Sequence, residues 1–199
     1  MIKIYYMPQK SEEWFAIKVG KMTASHANTI RANGTGLKTY IIDILADMFS
    51  SAEKASYTNE DMERGNNLED EAREFYEALT SVSVEQVGFV EINEFSGVSP
   101  DGLVNDDGLI EIKCPNDKTF VKLLLDKKVK KEYYDQMQMQ MYATNRQWCD
   151  YFCYNPNFEQ CYFLHRVLRD EKAIEEIKLG IEEGSKQIKQ GIELLSKKG

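Results

Sequence analysis

Two carboxylates and a lysine crowd one short stretch of this sequence. Gly97 to Pro115 reads GVSPDGLVNDDGLIEIKCP and holds Asp101, Glu111 and Lys113. Apolar runs flank the polar Asn105-Asp106-Asp107-Gly108, which predicts two short strands joined by a turn. Alternation along the second strand puts Glu111 and Lys113 on one face and Ile112 on the other, toward the core. The first strand runs back past them and brings Asp101 opposite the 111–112 region. A four-residue turn pairs Asp101 with Ile112, so the register leaves open whether all three side chains share a face. Sheet twist, or a break at Pro100, would supply the difference.

Carboxylates a few ångströms apart repel, and in a dry site one pKa rises. A divalent cation removes that conflict. Oxygen-only ligands with open positions suit Mg2+ or Mn2+, which keep waters and accept phosphate oxygens. Such an ion stabilises charge on a phosphate under attack, and a neighbouring lysine neutralises more of it. The expected chemistry is metal-dependent phosphodiester hydrolysis. A Glu-x-Lys pair alone is a common surface feature. The specific signal is the whole string: Ser99-Pro100-Asp101-Gly102, nine residues between Asp101 and Glu111, then Ile112-Lys113 on an apolar strand.

The elements that must carry this hairpin show on both sides of it. Ser11 can cap a short helix, EEWFAIKVG, with Gly20 past its end. Thr23 or Ser25 can cap a second helix to about Ala32. Residues 38–49 space Ile41, Ile42, Leu45, Met48 and Phe49 as a helix does. Thr58 or Asn59 opens a longer helix to about Leu79, weakened at Gly65. Residues 82–95 alternate as a strand, with a bulge expected near Gly88. Residues 117–127 and 132–145 read as helices. Residues 148–155 and 160–168 read as a second hairpin around Asn155-Pro156-Asn157. Asp170 caps a long helix striped by Ile174, Ile177, Ile181, Ile188, Ile192 and Leu195. Helices before, between and after strands predict a mixed sheet flanked by helices.

A chain of 199 residues, 42% hydrophobic and 29% charged, suits one domain with a helical appendage. No apolar run reaches the roughly 18 residues of a membrane helix, and MIKIYYMPQK lacks the features of a secretory signal. A cytosolic protein without disulfides is expected. The four cysteines, at 114, 149, 153 and 161, lack the C-x2-C pairs of zinc sites. They read as core residues, with an iron–sulfur cluster as the lesser alternative. Net charge is −8, which alone counts against a nucleic-acid partner. The distribution says more. Residues 1–40 hold six Lys/Arg and two acids, net +4; residues 117–134 hold six lysines and three acids, net +3. Residues 53–77 hold nine acids and three bases, net −6. Basic arms beside an acidic cluster can bind phosphates and metal together.

The string SPDG…LIEIKCP resembles the catalytic motif of the PD-(D/E)xK nuclease superfamily. Trp14 to Ser25, WFAIKVGKMTAS, resembles the W-x3-R-x-G-x-x-T-A-S motif of the phage lambda exonuclease and YqaJ-like recombinase family. Arg64-Gly65, Glu69 and Ala72-Arg73 are similar to its acidic helix, Tyr134-x-Gln136-x-Gln138 to its glutamine helix, and Tyr154-Asn155-Pro156 to its later strand end. The motifs run in order over about residues 14–156.

The resemblance implies a restriction-endonuclease-like α/β fold: a central mixed β-sheet flanked by helices, spanning 1–199 as one exonuclease domain. The core would cover about 14–168 and the C-terminal helix about 170–197. It implies that Asp101, Glu111 and the Ile112 carbonyl hold Mg2+ (or Mn2+), two ions per site, with Glu69 completing the acidic cluster. Lys113 is implied as the catalytic lysine, and Gln138 as a glutamine near the attacking water or metal shell, with Gln136 less firmly placed. Lys18, Ser25 and Ser99 would form a DNA 5′-phosphate pocket; Lys18 departs from the family's usual arginine, giving a point charge in place of a fork. Ser25 also has its own warrant as a hydroxyl at a helix start. Arg31 and Lys38 are candidates for the DNA backbone, against the plainer reading of surface charges. The implied activity is 5′→3′ degradation of one strand at double-stranded DNA ends, releasing mononucleotides and leaving a 3′ overhang; the alternatives are a PD-(D/E)xK nuclease of other polarity, a structure-specific endonuclease, or a non-catalytic DNA-end binding protein. Implied partners are a single-strand annealing protein and copies of the chain in a ring-shaped homotrimer, in the cytoplasm of a bacterial cell with a phage or prophage source.

Overall fold

The computed structural model describes residues 2–51 and 60–197, with side chains in the second stretch from Leu68 onward. The described strands fall into two sheets. One has the order β1 (Lys3–Tyr5), β4 (Phe89–Asn93), β5 (Ser96–Val98), β2 (Met22–Thr23). The other has the order β3 (Val84–Glu85), β6 (Gly102–Val104), β7 (Gly108–Lys113), β8 (Trp148–Tyr154), β9 (Tyr162–Leu168). In the second sheet β7 and β8 are parallel and the other pairs antiparallel. This is the mixed α/β architecture expected, with one difference. The single strand expected over 82–95 is two strands in different sheets. Gly88 is the crossing point between them, where a Cβ would lie 2.6 Å from the Met7 carbonyl oxygen. The register irregularity falls later, between Glu91 and Asn93. The chain crosses back between β5 and β6, and Ser99 to Asp101 occupy that crossing.

The helices are α1 (Glu12–Lys18), α2 (Ala27–Ala32), α3 (Thr35–Phe49), α4 (Glu60–Thr80), α5 (Asp117–Asp126), α6 (Lys131–Thr144) and α7 (Glu171–Ser196). Ser11 caps α1 by accepting from the Trp14 N–H, and Asp170 caps α7 by accepting from Lys172 and Ala173. The expected cap at Thr58 or Asn59 and the Arg64 side chain lie outside the described residues.

The five-stranded sheet is filled on both faces. Ile110, Ile112, Phe152 and Tyr154 pack on Ala72 and Tyr76 of α4. Leu109, Cys149, Tyr151 and Cys153 belong to the main core with Met137, Met139 and Met141 of α6. The alternating strand therefore sends Ile110 and Ile112 to α4, and Leu109, Glu111 and Lys113 toward α6. The four cysteines are free. Burial pushes the Cys114 and Cys153 thiols up to about 12, so they stay protonated and inert. No helix among the described residues is long and apolar enough to cross a membrane.

The isoleucine stripe of α7 settles on its own chain: Ile177, Ile181 and Ile188 belong to the main core, and Ile174 is buried as well. Gly180 allows that approach: a Cβ there would sit 1.9 Å from the Ile30 carbonyl oxygen of α2. Backbone cannot yield as a side chain does, so Gly180→Ala must push α7 off α2. The expected cost is about 1–3 kcal/mol, read as a fall of roughly 2–4 °C in melting temperature per kcal/mol. An unchanged melt by circular dichroism would refute the close contact.

Candidate active site

The turn of the central hairpin has three residues between its last paired positions. Val104 pairs with Gly108, Leu103 with Leu109 and Gly102 with Ile110. Asn105, the first of the three turn residues, takes the left-handed conformation, φ 48°, which asparagine tolerates better than most residues. One further step of the same register sets Asp101 opposite Glu111, on the same face. The Ile112 N–H donates to Asp101 Oδ2 at 2.6 Å and holds that carboxylate in place.

Glu111 is 1% exposed. Lys113 Nζ donates to Glu111 Oε1, Gln136 Nε2 to the same oxygen at 2.6 Å, and Gln140 Nε2 to Oε2 at 2.7 Å. Both glutamines come from α6, one turn apart, and clamp the carboxylate from the helix side. Burial raises the Asp101 pKa well above the aspartate range, and the Glu111 charge raises it further. Burial works against the Lys113 charge, but Glu111 and Asp101 outweigh it and raise its pKa, keeping the ammonium. Glu69, on α4, adds to the negative field at Asp101. Both line a cleft of about 660 Å3 with Lys10, Asp70, Arg73 and Gln86. Glu69 accepts from Lys10 Nζ at 2.8 Å. Among the described residues no three His, Cys, Asp or Glu side chains already converge on one point. The donors available are two adjacent carboxylates, with a third carboxylate turned to a lysine. That all-oxygen set, with an excess of buried negative charge, fits a hard cation such as Mg2+ or Mn2+.

Beside the carboxylates stands a second group built on Trp14. Its Nε1–H donates to Ser99 Oγ at 2.9 Å and to the Gly88 carbonyl at 3.0 Å. Lys18 Nζ lies 3.5 Å from the centroid of the same indole. Burial lowers the Lys18 pKa to about 8. Ser25 Oγ lies 3.1 Å from Thr23 Oγ1 and 3.3 Å from His26 Nδ1. Burial lowers the His26 pKa, against the Asp43 charge, and the Lys18 charge adds to the lowering. Trp14 thus joins Lys18 to Ser99, two residues from Asp101. Ser25 sits in a 3-10 turn ahead of α2, a helix of only six residues. The helix-terminus warrant for Ser25 fails there, and its exposed hydroxyl is what it offers.

Three expected residues stand elsewhere or differently. Gln138 points away from Glu111: its Nε2 donates to the Leu168 carbonyl at 2.9 Å, and its Oε1 accepts from the Asp170 N–H at 2.8 Å. It ties α6 to the start of α7. Arg31 is held by Asp135 at 2.5 Å and Glu176 at 2.7 Å, joining α2 to α6 and α7. Those two ion pairs make it a staple of the fold. Lys38 is exposed on α3, and the bonds that tie the site together do not include it. Two residues were not singled out from the sequence. Gln140 shares a helix face with Gln136, a spacing of four that signals it. Lys10 reaches Glu69 across 59 residues, which no local pattern shows.

A family model described as the YqaJ-like viral recombinase domain matches residues 13–147. Among solved structures, the alkaline exonuclease LHK-Exo from Laribacter hongkongensis is 36% identical, with a TM-score of 0.86, covering 94% of this chain and 96% of that one. The same enzyme in complex with dAMP matches at 36% identity and a TM-score of 0.85, over 93% and 96%. A phage-related exonuclease from Haemophilus somnus 129PT shares the fold at 18% identity and a TM-score of 0.67, over 88% and 96%. No match was found among curated proteins. With that family match over most of its length, and an alkaline exonuclease of the same fold at 36% identity, the chain belongs to the YqaJ-like viral recombinase family and is a nuclease.

Proposed function

We propose that this nuclease is a Mg2+-dependent 5′→3′ exonuclease on double-stranded DNA ends. The observation that carries the reading is the adjacency of two groups: Asp101, Glu111 and Lys113 at one end of the hairpin, and the Lys18–Trp14–Ser99 cluster joined to it through Pro100. One group suits a phosphodiester under attack and the other a terminal phosphate. Asp101, Glu111 and the Ile112 carbonyl hold the cation, with Glu69 as the further acid. When bound, the ion supplies Lewis-acid stabilisation of charge on the phosphate. Lys113 adds a fixed positive charge, and Gln136 and Gln140 keep the Glu111 carboxylate from rotating. The dAMP complex of the relative shows that relative binding a mononucleotide, which supports a product of that size here. A 3′ overhang so produced is the substrate of a single-strand annealing protein, and a ring of three copies around the duplex would keep the enzyme on its strand.

The test is digestion of linear duplexes labelled at either end, carrying 5′-phosphate or 5′-hydroxyl, with and without Mg2+. Release of 5′-terminal mononucleotides only with Mg2+ is expected. Release from the 3′ end, or cutting of closed circular duplex, would refute the reading.

Lys18 makes the end preference pH-dependent. Its ammonium is present below about pH 8 and lost above it. The preference for 5′-phosphate over 5′-hydroxyl ends should therefore fall as pH rises through that value, by about tenfold, the worth of one charge-assisted hydrogen bond. Lys18→Arg should hold the preference to higher pH. A preference flat across that range in the unaltered enzyme would remove Lys18 from the pocket.

A further inference from the structure

Lys10 has a backbone that its side-chain type does not favour. Its φ is 69°. The other described non-glycine residues with positive φ sit at helix ends (Asn33, Ser81, Lys127, Asn145) or in the hairpin turn (Asn105). Lys10 instead sits in a turn closed by the Ser11 N–H on the Pro8 carbonyl, 3.3 Å, where it is the third residue. A positive φ at that position normally selects glycine or asparagine. The turn is pinned by Gln9, whose Nε2 donates to the Val87 carbonyl at 3.0 Å and the Pro100 carbonyl at 2.9 Å. Pro100 immediately precedes Asp101. The strained residue is therefore anchored at the catalytic crossing, and its ammonium extends to Glu69 Oε2 inside the cleft that Asp101 lines.

We propose that Lys10 is a resident counter-cation of the catalytic cleft, which holds Glu69 until a divalent ion displaces it and so sets the metal requirement of the enzyme. This rests on the reading of Glu69 as one of the cation-holding acids. The ammonium 2.8 Å from Oε2 offsets the charge that Glu69 would offer a divalent ion and turns that oxygen toward Lys10. The Lys10 side chain is 43% exposed, so it can withdraw into solvent when displaced. A lysine here lowers the cleft's net negative charge at the expense of cation affinity. Backbone strain kept at a functional site is a recurring pattern.

The experiment is calorimetric titration of Mn2+ into the full chain without DNA, for the unaltered protein, Lys10→Gly, Lys10→Gln, and each variant combined with Glu69→Gln. Both single variants should bind Mn2+ about fivefold more tightly, the worth of one partly exposed ion pair. The gain should vanish in the Glu69→Gln background, where no carboxylate is left to release. Equal or weaker binding by Lys10→Gln overturns the proposal, as does a gain confined to Lys10→Gly, which would report relief of backbone strain alone. A gain that persists with Glu69→Gln also overturns it. If the unaltered protein takes up no Mn2+, the metal reading itself falls, and Lys10 with it; binding by the unaltered protein with no change on substitution removes only the Lys10 role.

Discussion

Lys113→Met should cut digestion of a linear duplex by about 10²–10³-fold, the range for removing one charged stabiliser of a transition state, while DNA binding stays measurable. Methionine keeps much of the stem and removes the ammonium. Burial alone would favour a neutral lysine, yet Glu111 and Asp101 hold the charge, so the pKa is raised. The ammonium is thus present throughout the range in which Lys18 loses its own near pH 8. The two lysines separate on that ground: a pH series should erode the 5′-phosphate preference before it erodes cleavage of 5′-hydroxyl ends. Loss of Lys113 also leaves Glu111, 1% exposed, with only amide donors from Gln136 and Gln140. A lowered melting temperature is therefore expected, and the assay belongs well below it. Binding measured by fluorescence anisotropy with Ca2+ separates binding from chemistry. Unchanged turnover would overturn the assignment of Lys113.

The hairpin was legible because its information is short-range. Strand period fixes which of residues 111–113 share a face, and the chemistry of two acids and a lysine follows from type alone. The register was not, because the return takes three residues rather than four, Gly108 pairing with Val104 inside the ladder. The sheet division was hidden for a similar reason. β3 and β4 read as one alternating run, and only the pairing of β4 with β1 and β5 shows that the chain has changed sheets.

The misplaced glutamine shows where periodicity runs out. Residues 136, 138 and 140 are all Gln, between methionines at 137, 139 and 141. Each step along a helix turns by about 100°, so 136 and 140 lie about 40° apart while 138 is about 200° from 136. A half-exposed helix would mark its inward face by polarity. α6 is buried around most of its surface, with Gln138, Gln140 and the three methionines at 0% exposure. Polarity then reports hydrogen-bond partners rather than direction, and those partners are remote: Leu168 and Asp170 for Gln138, Glu111 for the other two. The ion pairs of Arg31 are hidden in the same way. Its partners, Asp135 and Glu176, lie 104 and 145 residues away, so nothing near Arg31 in the sequence signals them.

Asp101→Asn should abolish Mg2+-dependent digestion, with a loss of about 10³-fold or more as the cation is lost and its charge stabilisation with it, yet raise the melting temperature of the metal-free protein by a few degrees. The sign follows from its surroundings. Burial and the Glu111 charge raise the folded pKa of Asp101 above its unfolded value near about 4. Between those two values the folded state holds a proton that the unfolded state has released. Stability therefore falls as pH rises through that window, and above it the full cost of an ionised Asp101 is present. Asparagine carries no charge, and its carbonyl can still accept from the Ile112 N–H that now bonds Asp101 at 2.6 Å. The gain should be large at neutral pH, shrink toward about pH 4, and disappear when Mg2+ is added, because the cation stabilises only the protein that binds it. Thermal melts across pH with and without Mg2+ test all three. A variant less stable than the unaltered protein at neutral pH without metal would show that Asp101 is satisfied by its neighbours, and that the cleft does not hold the uncompensated charge on which cation binding depends.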